Sequence, residues 1–137
     1  MAYGAKNKMN TTRTFLHIIS VCGWVGGQLL MVALLPTLRK ISDDAPRLAA
    51  VRFGKFSWTF MALALITGIW GIFSIDLSDK GSTYHITLFI KLLLVAASGV
   101  FALVHSKTKS IKVKASTGAL GLLSALGALL SGIILVN

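Results

Sequence analysis

A run of about 23 uncharged residues, Thr14 to Pro36 (TFLHIISVCGWVGGQLLMVALLP), sets the first limit on what this chain can become. As a helix rising ~1.5 Å per residue it crosses the ~30 Å hydrocarbon core of a bilayer. Three further runs of similar quality come after it, at about residues 57–75, 85–104 and 115–136. The first is too long for the apolar segment of a cleavable signal peptide, and its successors argue the same way. With 55% hydrophobic and 13% charged residues in 137, and a mean hydropathy of +0.78, a soluble domain could not hide so much apolar surface. The expectation is an all-α integral membrane protein: one domain over residues 1–137, built as a four-transmembrane-helix up-down bundle with short loops.

The joints between the runs carry their own signals. Met1 to Arg13 is a polar tail, and Pro36 ends the first span ahead of Arg39 and Lys40. Asp44 and Pro46 mark a helix start, the Asp as cap and the Pro in the first turn, where its missing N–H costs nothing. An interfacial helix over 45–56 leads into the second span, with Gly54 as a place to bend. The formal charge of +10 comes from cations that flank the spans, so the partner is a bilayer with anionic headgroups and not nucleic acid. Nine Lys and Arg lie in the first and third loops, against four in the amino tail and second loop. The positive-inside rule then puts both termini outside.

Chemistry-bearing residues are few. His17, Ser20, Trp24, Gln28 and Met31 recur at helical spacing and share a face, a polar strip that a mere anchor does not need. Gly23 and Gly27 form a small-xxx-small ridge, and Gly121, Ala125, Ala128 and Gly132 form another, both suited to close helix approach. His17 and His85 are expected at similar depth on two spans, where facing histidines hold haem or a metal ion. His105 stands at the opposite end of the third span in a basic, wet setting. An interfacial histidine bonded to headgroups or water is the competing reading for each. Ser20 or a carbonyl is the expected partner for the second nitrogen of His17. Lys91 is the one charge inside a span, either snorkelling to the headgroups or facing an anionic partner such as a haem propionate. No span carries a carboxylate and the chain has no Glu, which argues against carboxylate acid–base chemistry and against a stand-alone enzyme. The single Cys22 offers neither a disulfide nor a CxxC pair.

FLHIISVCGWVGGQLLMVALLPTLRK resembles the first helix of the copper-resistance D (CopD) membrane domain, where a His precedes a Trp-x-Gly-Gly segment and a Leu-Pro exit to basic residues. VRFGKFSWTFMALALITGIW and TLFIKLLLVAASGVFALVH resemble its following helices, the latter with an embedded Lys. HemJ-type protoporphyrinogen oxidases are more distantly similar. Phe89 stands two residues before Lys91, where that branch carries a His. The resemblance matches His17 and Lys91, and implies a bacterial inner-membrane protein linked to copper handling or to haem b. With the strip added, the expected cofactor-binding residues are His17, His85, Lys91, Trp24 and Gln28, with His17 and His85 as metal ligands. The roles left open are electron transfer or copper handling, and an accessory subunit of a larger membrane complex with no cofactor of its own.

The orientation has a direct test. With Cys22→Ser as background, a Ser110→Cys variant is expected to resist an impermeant thiol reagent in intact cells and to react after permeabilisation. Labelling in intact cells would reverse the topology.

Overall fold

The computed structural model describes the backbone of residues 2–137 and the side chains of residues 9–137. Met1 and the side chains of Lys6 and Lys8, which enter the charge count, lie outside the described residues. The all-α membrane architecture is the one observed. Among the described residues there is no strand, and four helices are long and apolar enough to cross a membrane: Met9–Ile41, Ala45–Phe73, Ser82–Lys107 and Ile111–Ile134. They fall into two compact units, Met1–Leu77 and Ser78–Asn137. Each is a helical hairpin.

The first helix of unit one comprises α1 (Ala2–Val21), a π-helical turn (Cys22–Gly26) and α2 (Gly27–Ile41). It departs from expectation at both ends. The tail is not separate from the span, because the helix is already formed at Met9 through Arg13. Pro36 does not end the helix but lies inside α2. A proline removes one amide donor without reversing the chain. The reversal comes at Ser42, whose backbone is extended (φ −166°, ψ 162°). The π turn has no counterpart in the hydropathy pattern. Such a turn inserts one residue into the helix and rotates the residues beyond it by about 100°.

The second helix, α3 (Ala45–Phe73), passes through Gly54 without a break, joining residues 45–56 and the second span in one element. Pro46 sits in its first turn as expected, but Asp44 makes no capping bond. The Ser42 hydroxyl accepts from the Ala45 amide instead (3.1 Å), while the Asp44 carboxylate accepts from Arg47 Nε (3.2 Å). The nearby guanidinium competes for the carboxylate that the exposed amides would otherwise attract.

α3 packs against α1 and α2 at glycines. A Cβ on Gly23 would stand 2.5 Å from the Phe60 ring, and one on Gly27 would collide with Phe53. Trp24 is buried against Trp58, with ring centroids 5.6 Å apart. The ridge on the first span is thus occupied by two phenylalanine rings. Lipid provides no hydrophobic drive between helices, so close backbone approach of this kind supplies the packing.

Unit two pairs α4 (Ser82–Lys107) with α5 (Ile111–Ile134), joined at Thr108–Ser110. The Ser110 hydroxyl accepts from the Val113 amide and starts α5 (3.5 Å). Along α5, Thr117, Gly121, Ser124, Ala125, Ala128 and Ser131 are buried, a single stripe of small residues. Phe101 lies over Gly121 and Leu94 over Gly127. Going up one helix means going down the other, so the pair is antiparallel.

Glycine contacts and glycine freedom are separable by substitution. Gly23→Ala is expected to destabilise the protein by about 1–3 kcal/mol, since Phe60 must give way. Gly54→Ala, where nothing lies within 4 Å of the new methyl, is expected to stabilise by about 0.5–1 kcal/mol through lost unfolded-state freedom. Unfolding in mixed micelles measures both.

Candidate functional site

Polar side chains in the first hairpin converge where the second half of α1 meets the last turns of α3. Arg13, His17 and Ser20 occupy one face of α1, and Thr67, Gly68 and Gly71 face them from α3. Gly68 and Gly71, three residues apart, open the side-chain surface of α3. His17 fills one part of the opening, with Cε1 3.3 Å from the place of a Gly68 Cβ. Arg13 fills the other, with Nη1 3.2 Å from that of Gly71.

The bonding of His17 bears on its tautomer. Thr67 Oγ1 donates its only proton to the Leu63 carbonyl one turn back (2.6 Å), leaving its lone pairs for the imidazole. With that proton so placed, His17 donates from Nδ1–H to Thr67 Oγ1 (2.9 Å), and its acceptor nitrogen is Nε2. Orientation by a bond to the second nitrogen is what ligating histidines have. The partner is not Ser20, which is fully buried and donates to the Leu16 carbonyl (2.5 Å). It comes from a helix 50 residues away in sequence, and no local pattern indicates it.

The rest of the strip has local duties. Gln28 Nε2 donates to the Trp24 carbonyl in the π turn (3.2 Å), so its amide serves the helix backbone. Trp24 is buried and packs against the exposed Trp58. Met31 is half-buried further along α2.

In the second hairpin, His85 lies in the first turn of α4, exposed and edge-on to the Tyr84 ring at 6.3 Å. Lys80 Nζ sits 5.4 Å from the centroid of that ring. Lys91 reaches from α4 across to α5. Its Nζ lies 3.1 Å from the place of a Gly132 Cβ, against the last turns of α5. The end of a helix carries partial negative charge from its outer carbonyls, a setting that suits an ammonium. His105 differs from expectation. It is half-buried over Gly118, and its Nδ1–H donates to the Lys114 carbonyl across the loop (2.8 Å). A backbone acceptor, not water, orients it.

Among the described residues, no three of His, Cys, Asp and Glu come together as a metal cage would require. Cys22 is exposed on the first span. Compared with family models, with curated proteins and with solved structures, the chain matches none.

The tautomer is open to measurement. In protein with ¹⁵N-labelled histidine, His17 is expected to show the Nδ1–H form. Thr67→Val should mix the tautomers and cost about 1–2 kcal/mol of stability, while Thr67→Ser should preserve both. An unchanged spectrum in the valine variant would separate His17 from Thr67.

Proposed function

We propose that this chain is a CopD-like membrane protein that holds haem b through His17, in an electron-transfer role near the outer face of a bacterial inner membrane. The observation carrying this reading is the His17–Thr67 bond, which holds the imidazole by Nδ1 and, in the Nδ1–H tautomer, makes Nε2 its acceptor nitrogen. The donor set favours haem over copper. A porphyrin brings four of its own nitrogens to the iron and asks the protein for one or two axial ligands. A copper ion takes its whole coordination shell from side chains, and no three of His, Cys, Asp and Glu come together among the described residues. When bound, haem supplies one-electron chemistry. His17 would hold the iron, with Thr67 fixing its ring and the Gly68 notch setting how closely that ring lies to α3. One axial histidine is enough to hold the iron, so this reading rests on the first hairpin alone. The positive-inside count puts His17 toward the outer face with both termini outside.

The test is an absorption spectrum and metal analysis of detergent-purified protein. Wild type is expected to show a Soret band. His17→Ala should abolish or strongly shift it, and His105→Ala, at matched expression and folding, should leave it in place. Loss in the His105 variant with retention in the His17 variant would move the site to the second hairpin. Wild type without haem or metal would leave the accessory-subunit role as the better account.

A further inference from the structure

Arg13 is one turn before His17 on α1, and its guanidinium is turned against the backbone of α3 at Gly71. Nη1 is buried and makes no hydrogen bond; it is the one buried side-chain nitrogen or oxygen among the described residues in that position. Such a group carries a large desolvation cost until an acceptor reaches it. The acids of the chain do not supply one. Asp44 pairs with Arg47, and that is the one salt bridge among the described residues. Asp43 belongs to the turn between α2 and α3, at the far end of the hairpin. Asp76, just beyond α3, is engaged with another group. Asp79 forms no salt bridge among the described residues.

Position and chemistry narrow the missing acceptor. Arg13 immediately precedes the uncharged run at Thr14, which places it at headgroup level in a spanning helix. A guanidinium presents planar, paired donors that match the oxygens of a phosphate. Gly71 keeps that surface of α3 open, since a side chain there would push the guanidinium away. We propose that Arg13, seated over Gly71 between α1 and α3, binds the phosphate of a phospholipid headgroup. This site is distinct from the diffuse attraction of the basic loops, and it stands whether or not His17 holds a haem.

The test uses the full chain in detergent, with native mass spectrometry reading retained lipid. The probes are dioleoyl phosphatidylglycerol and a galactosyl diacylglycerol with the same acyl chains and no phosphate. Wild type is expected to retain one phosphatidylglycerol and to release the galactolipid. Arg13→Gln and Gly71→Leu should each weaken phosphatidylglycerol binding by about tenfold or more, the size of one charge-assisted contact. Gly71→Leu keeps the net charge, so its effect separates a seated phosphate from general attraction, and it carries the test if Arg13→Gln misfolds by circular dichroism. Lys107→Gln, an exposed cation of the second hairpin, should change nothing. Equal retention by wild type and Gly71→Leu, or galactolipid held as tightly as phosphatidylglycerol, would overturn the proposal. Displacement of the lipid by millimolar inorganic phosphate would assign the site to a free anion and overturn the lipid.

Discussion

Both hairpins depend on one kind of contact, a large or polar side chain of one helix lying on a glycine of the next. Phe60 and Phe53 lie over Gly23 and Gly27, His17 and Arg13 over Gly68 and Gly71. In the second unit Leu94, Phe101, His105 and Lys91 lie over Gly127, Gly121, Gly118 and Gly132. In water the burial of apolar surface would hold such helices together. In lipid that drive is absent, and stability comes from dispersion between closely approaching surfaces and from polar groups finding partners. A glycine serves both needs, because it lets a ring reach the facing backbone and lets a cation or imidazole leave the lipid.

The two half-buried histidines illustrate a shared solution. Each stands over the glycine of a Thr-Gly pair, Thr67-Gly68 and Thr117-Gly118, and each threonine is buried with its hydroxyl returned to its own helix. A hydroxyl bonded to a carbonyl one turn back does not remain as an unpaired donor inside the hairpin. Beyond that the two diverge. His17 donates to the threonine itself, whereas His105 donates to the carbonyl of Lys114. The first ring is held by a side chain that substitution can remove, the second by backbone.

How much of this is legible in the sequence depends on the range of the interactions involved. The four spans and the small-residue ridges follow from hydropathy and from a period of 3.6, which are local properties of the chain. The proline inside α2 and the missing Asp44 cap depart from the local pattern because a nearby competitor decides each: a serine in extended conformation for one, Arg47 for the other. The setting of Lys91 depends on which glycine of α5 comes level with it, and the partner of His17 on the register of α1 against α3. Those are tertiary facts. Thr67, Gly68 and Gly71 can be read as small and polar positions of a span, but nothing within α3 says that Arg13 and His17 are what fill them.

The π turn at Cys22–Gly26 gives the first span a built-in phase shift. On its amino-terminal side the helix is oriented by Arg13 and His17 in the opening of α3; on its carboxy-terminal side it is oriented by Gly27 under Phe53. The extra residue reconciles these two settings. Straightening the turn into ordinary α geometry with all of its residues kept would twist one half of the span by about 100° against the other. Both halves could then no longer face α3 together. For this stretch the number of residues carries structural information that their identities do not: with one residue fewer, the same two faces would meet α3 through an unbroken α-helix.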